Sequence, residues 1–443
     1  MNRNISTQPH LSALLPLGLF LAIFVGSGLY FQSLGTSFAF YQVAAPVAAL
    51  PAIILSILLS RQNLGETVER FLSGAGHSNI MAMCMIYLLA GGFSSVAKAT
   101  GGVDAVVAVA ISIIPASFLL PGLFVVGALI STAMGTSMGT IAALAPIAVG
   151  VAGEAGLPMA LTAGAVTSGA MFGDNLSIIS DTTIAATRTQ GCEMKDKFRV
   201  NVAVAVPAAI LTILVLLFQA KGTSVAEAKD ASMLLALPYA AILVMAVSGL
   251  NVFAVLLSGI VLAGIAGFIV TPDFTILTLA KETYAGFTGM QEIFILSIFI
   301  GGLGELMKAQ GGLLALERLI SNGIRRVASG KGGTAIAEAG IGVLVFLTNL
   351  CTANNTVSIL VTGGVAKNIA EANGVEPKRA AGTLDIFACI CQGLIPWGAQ
   401  ILLVASIFKI SPLAVVSNVH YCMVLFFCAV VALFVPRQKV KHI

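Results

Sequence analysis

Charge is what this chain has least of. Only 9% of its 443 residues are Asp, Glu, Lys or Arg, against roughly 25% in soluble domains, so a soluble enzyme is set aside as a class. Ligand chemistry is as sparse. The four histidines sit at termini or span edges, and the seven cysteines lie mostly inside apolar runs. A zinc site takes four ligands, or three and a water, and Cys389-x-Cys391 has neither a histidine nor a second cysteine pair beside it. Phosphate-binding loops and catalytic triads are missing, so covalent chemistry and a resident cofactor have no support. A net charge of +4 is too small to point to nucleic acid.

What fills the chain is apolar. Hydrophobic residues make up 58% and mean hydropathy is +1.00, with runs of about 20 residues, the length a bilayer demands, recurring from end to end. The expected fold is an all-α polytopic membrane protein with the lipid bilayer as its first partner. The opening run, LSALLPLGLFLAIFVGSGLYF, has no evident small-residue cleavage site and reads as a retained span. Spans are predicted near 11–32, 36–60, 79–97, 158–187 and 199–218, then 233–248, 250–270, 289–308, 379–408 and 412–435.

Two further apolar segments, 121–152 and 334–370, are interrupted at their middles by GTSMGT (135–140) and CTANNT (351–356). Their arms, about 12–17 residues each, are short for a core of ~30 Å, so both are expected to be re-entrant hairpins. The halves also resemble each other. GGFSSVAKATGG at 91–102 matches GGLGELMKAQGG at 301–312, an offset of 210. GTSMGT falls on CTANNT at 216, and GDNLSIISD (173–181) falls on CQGLIPWGA (391–399) at 218. The expectation is two inverted-topology repeats, 1–218 and 219–443, each with about five spans, a re-entrant hairpin and a broken helix (158–187 and 379–408).

Cytoplasmic loops are enriched in Lys and Arg. With both termini inside, and with 103–118 and 313–330 lying along the interface, 18 of the 23 Lys/Arg residues are cytoplasmic. They include Arg188, Lys195, Lys197 and Arg199, Arg325, Arg326 and Lys331, and the tail Arg437, Lys439 and Lys441. Lys98, Lys221, Lys229, Lys281 and Lys409 remain outside.

Carboxylates inside spans are costly and face cavities or partners, and a broken span survives only where protein or a water-filled path satisfies its backbone. The first expected site therefore joins Gly135, Thr136, Ser137 and Thr140 with Asp174, Asn175, Ser177, Ser180, Asp181 and Thr182. These are almost all hard oxygen donors, which suit sodium as they suit other hard cations. Asp174 and Asp181 are the expected Na⁺ or H⁺ ligands, although Asp181 would equally make an N-cap. The second site joins Thr352, Asn354, Asn355 and Thr356 with Gln392, Gly393, Gly398, Gln400 and Trp397, and Asp385 two turns earlier is expected to face the same cavity. An aromatic beside two amides suits an organic solute; the same tryptophan would also serve as packing between hairpin and helix. Glu193 and Asp196 are expected to be solvated in a basic loop, and Glu305 and Glu338 to pair with arginines such as Arg325 and Arg326.

The string GDNLSIISDTTIAATRTQGCEMKDKFR at 173–199 resembles the NhaC-type sodium/proton antiporter family of the ion transporter superfamily. The resemblance implies an elevator-like secondary transporter of the cytoplasmic membrane, often a homodimer. It carries ion sites onto Asp174, Ser177, Ser180, Asp181, Thr182 and Thr183, with Na⁺ and H⁺ as coupling ions. Antiporters of this family often have proline after the first serine, where Ile178 stands here, and the non-proline form resembles putative amino-acid permeases. The expected function is Na⁺- or H⁺-coupled transport; an amino acid or other small organic solute moving with the cation is the alternative.

Overall fold

The structure is a computed structural model that describes residues 8–36, 39–220, 232–327 and 333–434. Lys221, Lys229, Lys331 and the tail Arg437, Lys439 and Lys441, assigned sides above, lie outside the described residues, as do the side chains of Arg325 and Arg326. Among the described residues the regular structure is all helical, as it must be where lipid offers a backbone no hydrogen bonds.

The first ten helices are α1 (Leu15–Ser33), α2 (Ala45–Leu58), α3 (Leu64–Ala75), α4 (Ser78–Ala99), α5 (Gly102–Ile113), α6 (Leu119–Met134), α7 (Ser137–Glu154), α8 (Met159–Leu176), α9 (Asp181–Gln190) and α10 (Met194–Gln219). The next are α11 (Leu237–Val247), α12 (Val252–Val270), α13 (Ile276–Gly289), α14 (Gln291–Ala309), α15 (Gly312–Val327), α16 (Gly333–Thr352), α17 (Asn355–Asn373), α18 (Pro377–Leu394), α19 (Ala399–Phe408), α20 (Pro412–Val416) and α21 (His420–Phe434). The order of the first set recurs in the second, with α10 answered by the pair α20 and α21.

Several sequence expectations change. Helices α3 and α13 were not anticipated. Helix α3 carries polar residues along one face, and α13 forms with α14 a pair bent by 43°. The predicted span 412–435 is broken at 417–419, where the Ser417 and Asn418 side chains donate back to the Leu413 and Ala414 carbonyls. The Asn418 carbonyl there presses against Gly164 of α8, a close approach that leaves no room for a Cβ. Three of the four hairpin arms are longer than expected: α7, α16 and α17 have 18, 20 and 19 residues, while α6, with 16, is as expected. At 1.5 Å per residue the longest approaches 30 Å, so α7 and α16 are by length and composition able to cross. By contrast α5 and α15, with 12 and 16 residues, fall short of a core of ~30 Å.

Each hairpin turns on one left-handed residue, Gly135 (φ 69°) in the first and Ala353 (φ 49°) in the second. The next residues, Thr136 and Asn354, cap α7 and α17 by accepting from the amides of Gly139 and Val357. These matched caps are 218 residues apart, so the tips align at that offset and not at the 216 expected from the letters alone.

Counterparts in the two halves also touch each other. The Cys84 thiol donates to the Phe294 carbonyl at 3.7 Å, and the Tyr87 and Ser297 hydroxyls are 3.2 Å apart, both across 210 residues. The Cys389 thiol donates to the Met171 carbonyl at 3.5 Å across 218. Contacts of this kind are what a two-fold relation between the halves would give. Two close crossings recur as well. Gly91 of α4 meets the backbone of Gly286 of α13, and Gly301 of α14 meets that of Gly74 of α3. Bare glycines let helices approach closely, the usual device of helix packing in lipid.

Candidate functional site

Two breaks and two hairpin tips converge inside the helix bundle. Helix α8 ends at Leu176, and Ser177 and Ser180 both adopt extended backbone before α9 begins. Ser177 Oγ donates to the Thr132 carbonyl of α6 at 2.9 Å, which fastens the break to the first hairpin. Ser180, not Asp181, is the N-cap: its Oγ accepts from the Thr183 amide at 3.2 Å. Ser180 also meets Thr182 Oγ1 at 3.1 Å, and Thr183 Oγ1 donates to the Ser177 carbonyl at 2.7 Å. Asp181 follows on an exposed position, and no described hydrogen bond links it to Asp174.

Asp174 is buried in the last turn of α8. Ser137, the first residue of α7, donates its hydroxyl to Asp174 Oδ2 at 2.7 Å. The α7 N-terminus, with its unpaired amides, favours negative charge there. No basic side chain forms an ion pair with Asp174 among the described residues. The Ser137 hydroxyl in turn accepts from Gln400 Nε2 at 3.1 Å, Gln400 Oε1 accepts from Gln392 Nε2 at 2.7 Å, and the same Nε2 reaches the Ala353 carbonyl at 3.2 Å. One chain of contacts thus runs from the first break through the first tip and the second break to the second tip. Residues of the two sites expected separately are joined in one hydrogen-bond chain.

Other expected residues serve the frame. Thr136 caps, Thr140 Oγ1 donates to the Thr136 carbonyl, and Gly135 packs on Ile179 of the break. Thr352 Oγ1 donates to the Asn354 carbonyl, and Asn355 Oδ1 accepts from the Thr356 amide. Gly393 lies so close to Cys422 of α21 that a Cβ would not fit, and Gly398 is the N-cap of α19. Trp397 is 7% exposed, donates its indole N–H to the Leu350 carbonyl at 3.1 Å and stacks edge-on against Phe20. Its position is between hairpin and helix, the packing place.

Asp385 does not present a free carboxylate. Lys197 Nζ lies 2.7 Å from its Oδ2, both side chains 1% exposed, and the same ammonium donates to the Asn175 carbonyl at 2.9 Å and Thr183 Oγ1 at 2.7 Å. Asn201 Nδ2 joins Asp385 Oδ2 at 2.7 Å and Asn175 Oδ1 at 2.9 Å. Lys197, counted above among the cytoplasmic basic residues, is a buried side chain and does not lie in the solvated loop expected of its neighbours Glu193 and Asp196. A signal for it existed: Lys197, Asn201, Val204, Ala208, Thr212 and Leu216 form one buried stripe of α10 at helical spacing, so the apolar stripe, continued backwards, runs into the lysine. The acids expected to seek arginines find other partners in part. Glu338 pairs with Arg379 at 3.0 Å and accepts from Thr383 at 3.1 Å, while Glu305 pairs with Lys308 at 3.1 Å. Asp196 is partly exposed beside Arg199 at 3.9 Å.

The chain is similar to known proteins. A model described as "Na+/H+ antiporter family" matches residues 5–221 and, separately, 220–436. A protein of Bacillus subtilis named Na(+)/H(+) antiporter NhaC is 28% identical over 75% of this chain and 78% of its own. The malate-2H(+)/Na(+)-lactate antiporter of the same bacterium is 24% identical over 89% and 88%. The arginine/ornithine antiporter ArcD of Halobacterium salinarum is 25% identical over 82% and 81%.

Proposed function

This chain belongs to the Na+/H+ antiporter family, and from that premise we propose that it is a secondary transporter of the cytoplasmic membrane in which Asp174 alternately holds Na⁺ and H⁺. The observation that carries the reading is the buried Asp174 carboxylate, hydrogen-bonded by Ser137 and without an ion-pairing cation among the described residues. An ionised carboxylate removed from water is costly unless a partner or a proton neutralises it. A sodium ion and a proton each meet that need, and they exclude one another at one carboxylate. Exchange follows if the site opens to one side of the membrane at a time. The hydroxyls and carbonyls of the first break, Ser177, Ser180 and Thr182 among them, would complete the oxygen shell, with Asp181 at its exposed edge.

The repeats belong to the same reading: residues 1–218 and 219–443 as inverted copies, the hairpins 121–152 and 334–370 as re-entrant elements, both termini cytoplasmic, and two chains forming the homodimer that the resemblance implies. Cysteine labelling from either side of a sealed vesicle tests the orientation, and cross-linking in membranes tests the dimer. The exchange itself is tested in proteoliposomes carrying a pH dye. An imposed sodium gradient should move protons in the opposite direction, and D174N should abolish that movement. Proton flux of wild-type size through D174N would refute the assignment.

A specific cavity favours a second reading, in which an organic solute travels too. A space of about 800 Å³ opens beside the second hairpin, lined by Arg61, Arg70, Glu305, Lys308, Thr348 and Thr362. Its mixed charge suits an amino or carboxylic acid, and relatives with those substrates in their names were found. Of the buried carboxylates that could meet such a solute's ammonium, Asp385 is taken by Lys197, which leaves Asp174. Sodium-dependent heat on adding amino acids and small carboxylates to purified protein would support this reading; silence across the panel would exclude it.

A further inference from the structure

We propose that Lys197 is a tethered cation filling a second cation site, so that each chain takes up one sodium ion instead of two. The inference rests on the reading of Asp174 as the ion site. Its own ground is the cage around Nζ. An ammonium has three donors, and here three oxygens meet them: a carboxylate oxygen of Asp385, the Asn175 carbonyl and the Thr183 hydroxyl, at 2.7, 2.9 and 2.7 Å. The three come from α18, from the end of α8 and from α9. Carboxylate, carbonyl and hydroxyl at a helix break form the donor set that hard cations take.

Two further observations make this a cation cage rather than an ordinary ion pair. Asn175 lies in the last turn of α8, where carbonyls have no intrahelical partner and the helix dipole favours positive charge. Its carbonyl accepts only from Lys197 and Asn201 among the described hydrogen bonds. Asn201, itself fully buried, shares Asp385 Oδ2 and the Asn175 carbonyl with the ammonium through its Nδ2, and its Oδ1 has no hydrogen-bond partner among the described residues. The second break has no such cation. The position 218 residues after Lys197 is Val415, and Asp174 has Gln392 as its counterpart. The two buried carboxylates of the broken helices are therefore used differently: Asp385, in the middle of α18, keeps a cation that cannot leave, and Asp174, at the break after α8, is left for one that can. Residues from both repeats hold the tethered charge.

The test counts bound ions. Purified full-length protein is equilibrated with saturating radioactive sodium in detergent, and ions per chain are measured for wild type, K197A and K197A/D385N, with Trp397 fluorescence checking the fold. The expected counts are one, two and one. K197A should also gain more in melting temperature than wild type when choline is replaced by sodium, because sodium refills the emptied cage. A K197A count equal to wild type overturns the proposal. A wild-type count of zero would refute the Asp174 reading separately, and the increment from wild type to K197A would still decide this one. If K197A folds in sodium and not in choline, the cage is supported directly. If it folds in neither, K197Q, which keeps a donor for the Asn175 carbonyl while freeing Asp385 of its positive charge, is counted in the same way, and no added ion overturns the proposal.

Discussion

Asp174 and Asp385 lie on the two broken helices, both buried, yet only Asp385 has an ammonium against it. The difference in pairing sets what each can do. A buried pair already satisfied holds its charge through the cycle, whereas a lone carboxylate must recruit a cation or a proton each time it is enclosed.

From this follows the dependence of transport on pH. Protons and sodium ions competing one-for-one at Asp174 make the apparent KM for sodium fall as pH rises, by at most about tenfold per unit. Initial rates in proteoliposomes across pH 6 to 9 would show it. A KM independent of pH, with only the maximal rate changing, would argue against a shared carboxylate.

Ser137 joins Asp174 to Gln400, and so links the halves. Ser137→Ala removes a hydrogen bond to a charged group, a loss of about 1.5–3 kcal/mol, or roughly 10- to 100-fold in sodium affinity. Ser137→Thr keeps the hydroxyl and should retain most of the binding. Sodium titration of Trp397 fluorescence reads both variants.

The hairpin turns respond in opposite directions. Gly135→Ala places a Cβ in left-handed backbone and against Ile179, costing about 1–2 kcal/mol. At the equivalent position Ala353 already bears that strain, so Ala353→Gly should cost little or raise stability by a fraction of that amount. Thermal melts in detergent compare the two.

Both glycine crossings should be sensitive to bulk. Gly91→Leu and Gly301→Leu each force apart helices whose backbones touch, and overpacking costs about 1–3 kcal/mol. Drops in melting temperature are expected for both, since at each position a Cβ would meet the carbonyl of the facing glycine, more closely at Gly91. A large drop for one and none for the other would contradict the two-fold relation.

Much of this was legible in the letters. Scarce charge and long apolar runs dictated helices in lipid, because a bilayer leaves the backbone no other partner. Gly135, the serines of GDNLSIISD and the recurring GG…KA…GG pattern marked the breaks and the repeat. Local chemistry was enough there, since caps and turns are decided by neighbours in sequence. Tertiary structure alone decided which polar groups meet. It joined residues of two expected sites through Gln392 and Gln400, moved Asp181 to an exposed position and lengthened three of the hairpin arms. It also drew Lys197 from an apparent surface loop onto Asp385, 188 residues away in the chain. The cost of burying a charge is offset only by a particular partner at hydrogen-bond distance, and such distances are set by how the helices pack, which composition and spacing do not encode.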